Sequence, residues 1–311
     1  PLLEAWEADI AHVTTQLRDI SRVRSAPLRR RETIAGYGEL WSTRLLAAYL
    51  AEVLGAEDAG SWIDARELVV VHRGELGPQV QWTQTQRLRS DHIADSFAGV
   101  VVVTGFNALD EDGLPTTLGR NGSDYSAAIV AALANAEQLT IWSDVDGVLS
   151  GDPRRIPEAQ IIDSLSYDEA MDLAYFGAKV IHPQTMGPVV AKKIPVYLRN
   201  TFRPELPGSL ISSRSTSDSG IKGVTAVDNV AIVNVEGAGM IGVPGTADRL
   251  FGALRGAGVS VTLISQASSE HSISVAVPQA LAQVAKRVIL AAFTEELEAG
   301  QIQRVDITDQ Q

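Results

Sequence analysis

Hydrophobic and polar positions along this chain follow two different periods. Residues 2–20 and "LWSTRLLAAYLAEVLG" place apolar residues at helical spacing, so residues 1–60 read as mostly helical. From there to about residue 212, strand-like and helical segments alternate. "LVVV" (68–71), "VVVVTG" (100–105), "TIW" (140–142) and "PVYLRN" (195–200) read as strands. The second of these is an unbroken β-branched run, of the kind buried on both faces of a parallel sheet. "YSAAIVAALANA" is rich in Ala and Leu and reads as a helix. "SYDEAMDLAYFGAKVI" (166–181) reads as another, with Ser166 as N-cap and Glu169 three residues on, a capping box. Alternation of this kind predicts an α/β fold with a mainly parallel sheet.

The pattern changes after "SSRSTSDSG" (212–220), which is Ser-rich and free of apolar residues and reads as a linker. "VAIVNVEGAGM" predicts a strand and a glycine-rich turn, and "GTADRLFGALRGAG" a helix ending at glycine. "VSVTLISQASSEHSISVAVP" predicts two strands around a polar bend, "QALAQVAKRVILAAF" a second helix, and "IQRVDI" a further strand. The order β-α-β-β-α is most of a ferredoxin-like unit. The expected organisation is a first domain over 1–212, a linker over 213–219 and a smaller domain over 220–311.

Charge and composition narrow the chemistry. With a formal charge of −12 and dispersed basic residues, nucleic acid is not an expected partner. The chain has no cysteine, which excludes disulfides and thiolate metal sites. No apolar run approaches the roughly 18–20 residues that cross a bilayer, and no signal peptide is visible, so no membrane association and a cytoplasmic location are expected. Pro1 leads straight into a helical pattern, as expected of a chain that starts inside a larger protein.

Four stretches carry candidate chemistry. "TTLGRNGSDYSAA" (116–128) joins a strand region to a helix, with Ser123 as the expected N-cap. Its glycines allow close backbone approach to something small, and a helix N-terminus favours an anion. Arg120 adds a fork suited to a carboxylate or phosphate. Asp124 would repel a bare phosphate, but it fits a ligand that also carries a cation, an ammonium group or Mg²⁺. "IWSDVDGVLSGDPR" (141–154) gathers polar groups at the carboxyl end of a strand, where open α/β sheets bind ligands. In "FGAKVIHP" (176–183) Lys179 lies late in a helical pattern, near a Pro183 stop. In "GYGELWS" (36–42) Glu39 follows two glycines at a helix start. Plainer roles stand beside these: Arg120 and Asp124 bridging one another, Asp144 and Asp152 as turn formers, Glu39 and Lys179 as helix-end charges. A calcium loop over 144–152 lacks the glutamate at position twelve, and "GAGMIGVPG" does not satisfy the dinucleotide fingerprint.

Taken in order and spacing, these four blocks resemble the aspartate kinase family over nearly the whole chain. "LISQASSEHSISVAVP" looks most like the forms fused to homoserine dehydrogenase. The resemblance implies a three-layer amino-acid-kinase fold followed by an ACT-type regulatory domain, with a second ACT unit left incomplete. It implies transfer of the ATP γ-phosphoryl to the β-carboxylate of L-aspartate with Mg²⁺, giving 4-phospho-L-aspartate, the first step towards lysine, threonine and methionine. Carried over residue by residue, it implies that Glu39, Arg120, Gly122, Ser123 and Asp124 bind the substrate, with Arg120 on its carboxylate and Asp124 on its ammonium. It implies that Ser143, Asp144, Leu149, Arg154, Lys179 and Val180 contact the nucleotide, with Lys179 and Asp124 serving catalysis, and no resident protein metal site. It further implies feedback by an amino-acid effector, threonine or lysine. The residues for it are sought at Ser265, Gln266, Ser268, Ser269 and Glu270, with help from Asn234 and Asp248. Homo-oligomers paired through the ACT domains are expected. The sequence departs from the family in two places. The initial "KFGGTS"-like block is not present, so poor turnover is expected of this chain by itself, and Leu149 stands where the family has an aromatic residue. Two alternatives remain: a module that senses an effector without catalysis, and a kinase for another acidic amino acid.

Overall fold

The computed structural model describes residues 2–55, 59–74, 77–92, 99–175, 183–216 and 220–309. The chain divides into two compact units, Pro1–Thr225 and Ala226–Gln311. No described helix is long and apolar enough to cross a membrane.

The first unit opens with two helices, α1 (Leu2–Val23) and α2 (Leu28–Leu54). Strand β1 (Ala59–Ile63) follows, then β2 (Val70–Gly74), β3 (Gly77–Val80) and helix α3 (Trp82–His92). Next come β4 (Val100–Val103), β5 (Asn107–Asp110), β6 (Pro115–Thr117) and helix α4 (Gly122–Ala134). The unit continues with β7 (Leu139–Ser143), β8 (Ser164–Ser166), α5 (Tyr167–Tyr175), α6 (Pro183–Lys192), β9 (Val196–Asn200) and β10 (Ser209–Ser212). The described strands form a parallel pair β1-β4, a sheet β3-β2-β5-β6 and a sheet β7-β9-β10-β8. The β2-β5, β7-β9 and β10-β8 pairs are parallel, while hairpin partners and the β9-β10 pair are antiparallel.

Helix α4 fixes the arrangement. One side buries Ile129 and Leu133 against Leu68, Val69, Val71 and Ala108 of the first sheet region. Another side presents Ala128 and Ala131 to Ile141, Met186, Val189, Val196 and Leu198. Alanine on that side lets α6 approach α4 closely, and full burial of Ile129 contributes about 1.5–3 kcal/mol. The alternation of alanine with larger residues thus makes one helix serve two cores.

Helix α2 is held over the β5-β6 hairpin by a stripe at i, i+4 and i+7. Glu32 pairs with Arg73 and accepts from Thr116 Oγ1 at 3.3 Å. Gly36 offers its carbonyl to Asn107 Nδ2 at 3.0 Å, and a Cβ there would lie 2.1 Å from Asn107 Oδ1. Glu39 is the third member, at mid-helix, rather than at the helix start its two preceding glycines predict. Asp9 of α1 steadies α2 by accepting from Trp41 Nε1 at 3.1 Å and Arg44 at 2.6 Å.

One other local expectation needs correction. Val100 is 38% exposed, so "VVVV" is not buried on both faces. Pro183 is the first described residue of α6, and the Lys179 segment before it, with its expected stop, lies outside the described residues. The capping box, by contrast, is present: the Ser166 N–H donates to Glu169 Oε2 at 2.7 Å and the Glu169 N–H to Ser166 Oγ at 3.2 Å. The described part of that helix ends at Tyr175.

The second unit consists of β11 (Val230–Glu236), α7 (Thr246–Gly256), β12 (Leu263–Gln266), β13 (Ser272–Pro278), α8 (Ala282–Ala292), the short α9 (Thr294–Glu298) and β14 (Arg304–Asp309). Its sheet is antiparallel in the order β12-β13-β11-β14. Alternate residues of β11 and β13, among them Val233, Val235, Ile273 and Val275, bury against Leu250, Leu254, Ile289 and Phe293. This completes the βαββαβ ferredoxin-like pattern.

The α2 stripe makes a paired stability test. Gly36→Ala is expected to destabilise by about 1–3 kcal/mol, because its methyl would overlap Asn107. Gly38→Ala, in the same helix with open space around it, is expected to stabilise by up to about 1 kcal/mol. Denaturant unfolding of both variants checks this.

Candidate active site

The connection between β4 and β5 and the loop entering α4 cross at close range, and their glycines serve that crossing. A Cβ on Gly122 would lie 2.8 Å from Phe106 Cδ2, and one on Gly105 would lie 3.1 Å from Ser123 Oγ. Gly122 is therefore required by the Phe106 ring, a packing reason the sequence reading had not given. Gly119 takes φ +74° with open space around it, which is turn geometry. Phe106 itself holds φ +66°, a left-handed conformation that costs a non-glycine residue about 1–2 kcal/mol. Both its backbone groups are occupied: its N–H donates to Ser126 Oγ at 2.9 Å, and its carbonyl accepts from the Leu118 N–H at 2.8 Å. Strain held by the surroundings in this way is typical of functional loops.

Asn121, not Ser123, is the N-cap of α4; it sits at φ +55° and makes no side-chain cap bond. Ser123 lies inside the first turn and is exposed. Arg120 is exposed, Asp124 is half-buried, and among the described residues no ion pair joins them. The simple surface bridge is not formed. Burial raises the Asp124 carboxyl above its ordinary range, with no hydrogen bond acting to lower it. A half-buried carboxylate with no compensating partner among the described residues suits a cationic ligand. Glu39, half-buried, projects from the α2 stripe that lies on β5 and β6, the hairpin leading into this same loop.

Helix α4 packs on β7 and runs back along it, so the helix N-terminus and the carboxyl end of β7 share one edge. At that edge Ser143 Oγ donates to Asp144 Oδ1 at 3.2 Å, and Asp144 is exposed. The Thr201 N–H donates to the Ser143 carbonyl at 2.8 Å, locking the ends of β7 and β9 together. Asp146 is held by Asn200 Nδ2 at 2.6 Å and by Arg203, a support that the Asp-Gly turn alone had not signalled. Leu149 forms a β-bridge with Ile161. Asp152 is both turn former and partner: its Oδ1 accepts from the Arg154 N–H at 2.9 Å, and the Arg154 guanidinium holds its carboxyl down to about 2. Arg154 is highly exposed and extends from this turn. Lys179 and Val180 lie outside the described residues.

In the second unit, Ser265 and Gln266 are exposed on the edge strand β12, and Ser268, Ser269 and Glu270 form the turn before β13. The register aligns Asp306, Asn234, Ser274 and Ser265 in one polar row on the sheet face away from α7 and α8. Glu270, at φ +58°, accepts from the Gly242 N–H at 2.9 Å. Asp248 is exposed in the first turn of α7.

The comparisons agree with this architecture. Residues 7–200 match the amino acid kinase family and residues 233–293 an ACT domain. A bifunctional aspartokinase/homoserine dehydrogenase of Zea mays is 40% identical over 311 residues, covering 98% of this chain and 34% of its own length. The Haemophilus influenzae protein of that name is 41% identical, with 98% and 37% covered. The chain thus spans about a third of the length of these curated relatives. A solved structure of E. coli aspartokinase III in complex with aspartate and ADP superposes with a TM-score of 0.73 at 25% identity, over 98% of this chain and 67% of that one.

The Asp124 environment gives a test. Its folded-state carboxyl is raised, so stability falls as pH rises from the unfolded value of 3.8 through the folded one. Asp124→Asn is expected to raise Tm at neutral pH, with the gain vanishing towards pH 3; pH-dependent thermal unfolding measures it. The fold, the strained loop at the head of α4 and the two matched regions lead to one statement: the chain belongs to the amino acid kinase family and carries a C-terminal ACT domain.

Proposed function

We propose that this chain binds L-aspartate and ATP and transfers the γ-phosphoryl group to the aspartate β-carboxylate. The observation that carries the proposal is the loop 118–124. It presents an exposed guanidinium and, four residues on, a half-buried carboxylate with no compensating partner among the described residues, at the edge shared with Ser143 and Asp144. A free amino acid offers one charge to each. An N-acylated acceptor would leave Asp124 without its cation, which favours aspartate over acetylated acids. The aspartate and ADP bound by the E. coli relative support the same pair of ligands.

In this reading Arg120 grips a substrate carboxylate, Asp124 its ammonium, and Glu39 closes the site from α2. Gly122 and Ser123 supply the helix N-terminus. A β-carboxylate oxygen attacks the γ-phosphorus in line; the new O–P bond forms as the bond to the β-phosphate oxygen breaks, and ADP departs. Ser143, Asp144, Leu149 and Arg154 hold the nucleotide, with Lys179 and Val180 assigned there from the family pattern. Mg²⁺ arriving with ATP would supply charge neutralisation at the phosphates. The chain's own task is orientation, bringing two anions to within about 3–3.5 Å. The product is 4-phospho-L-aspartate, at the start of lysine, threonine and methionine synthesis. The ACT domain answers to threonine or lysine through the Ser265–Glu270 segment, and copies pair through it.

Arg120→Ala is expected to weaken aspartate binding about ten- to a hundredfold, the about 1.5–3 kcal/mol of a charged hydrogen bond, while ATP affinity holds. Steady-state kinetics with aspartate, glutamate and N-acetylglutamate as acceptors test the assignment; a preference for an N-acylated acceptor would overturn it. Calorimetry on the intact oligomer is expected to show threonine or lysine binding that disappears in Gln266→Ala, and heat-silent titrations with both amino acids would remove the effector role.

A further inference from the structure

The segment that follows β10 is fastened to the first unit at successive points. Ser215 Oγ donates to the Ser164 carbonyl at 3.0 Å, and the Thr216 N–H donates to Ser164 Oγ at 3.1 Å. Further along, Lys222 is half-buried as a residue, with its side chain only 9% exposed, and it donates to the partly exposed Glu169 Oε2 at 2.8 Å and to Ser215 Oγ. Glu169 is the same residue that closes the α5 capping box, so one carboxylate serves both the helix end and the lysine. The hydrogen bond from Lys222 holds the Glu169 carboxyl below its ordinary range. Two residues on, the Val224 N–H donates to the Ser150 carbonyl at 2.9 Å. Gly223 threads between: a Cβ there would lie 3.2 Å from both Leu173 Cδ2 of α5 and the Ser150 carbonyl oxygen.

Stability gives a weak reason for covering a lysine here, because a pair whose carboxylate is partly exposed contributes little. Geometry gives a stronger one. An ammonium with three donors can fix a strand of chain against a helix end in one register, where an apolar side chain could slide. Ser150 is the neighbour of Leu149, in the loop whose far end carries Arg154, so whatever holds residues 220–224 also holds that loop. Thr225 then leads directly into the second unit.

We propose that Lys222 is a positioning residue: by clamping residues 220–224 between the α5 N-terminus and the Ser150 carbonyl, it sets the place of the 144–154 loop and so the affinity for nucleotide. This rests on the reading of that loop as nucleotide-contacting. Lys222 touches neither substrate; it acts through Glu169, Gly223 and Ser150.

The test uses the full chain and ADP as the probe. Lys222→Met is expected to weaken ADP binding in calorimetry, and raise KM for ATP, about ten- to a hundredfold, leaving KM for aspartate unchanged. Lys222→Arg, which keeps the charge and donors, is expected to restore most of the affinity. Glu169→Gln keeps the cap on Ser166 but removes the charge, and serves if the methionine variant does not fold; its ADP affinity is expected to fall several-fold. Folded variants, verified by thermal unfolding, that bind ADP like the parent, or lose ATP and aspartate affinity equally, would overturn the inference alone. A parent chain that binds no ADP would overturn the nucleotide reading, and this inference with it.

Discussion

Everything at the candidate site depends on one helix being wedged between two cores. Ile129 and Leu133 commit α4 to the sheet that contains β2 and β5, while Ala128 and Ala131 commit it to β7, β9 and α6. A helix gripped on both sides cannot rotate without opening a cavity, at a cost of several kcal/mol per large side chain. Its first turn is gripped as well, by Phe106 lying over Gly122 and by Ser126 holding the Phe106 N–H. The strained Phe106 conformation persists because its surroundings leave no relaxed alternative. Arg120 and Asp124 stand on this fixed base, so the backbone positions that carry them are set by packing.

The electrostatics of the loop follow from the same rigidity. In an acidic chain, an arginine normally finds a carboxylate partner, and elsewhere in the first unit Arg29, Arg44, Arg66, Arg73 and Arg203 have done so. Arg120 and Asp124, four residues apart, have not paired. The left-handed Asn121 backbone lies between them, and both charges are left for the zwitterion that the proposed function assigns to this loop. The edge formed by β7 and β9 complements it: carbonyl and carboxylate groups there are organised by Asn200, Thr201 and Arg203.

The elements were largely legible in the sequence because their signals are local. Period-two alternation in "VAIVNVE", the Ser166–Glu169 box and the alanine-rich α4 each declare themselves within a few residues. The errors arose where a distant residue or an unusual backbone angle decides. Gly36 looks like a helix start until Asn107 is found against it, some seventy residues away in sequence. Ser123 looks like a cap until the Asn121 backbone turns left-handed first. Gly122 reads as room for a ligand, and it is also room for Phe106. The site blocks could be picked out because they are contiguous. Their supports, such as Phe106, Asp146 with Asn200, and Lys222 with Glu169, could not, since each pairing spans from about sixteen to more than fifty residues. A glycine within a helical pattern was the one usable hint, because such a residue commonly marks close approach.

The most direct measurement is a crystal structure of the protein grown with L-aspartate and ADP. The expected result places a substrate carboxylate about 3 Å from the Arg120 guanidinium and the ammonium at the same range from Asp124, with ADP against the 143–154 edge. Aspartate seated elsewhere, with Arg120 and Asp124 still facing solvent, would contradict the account.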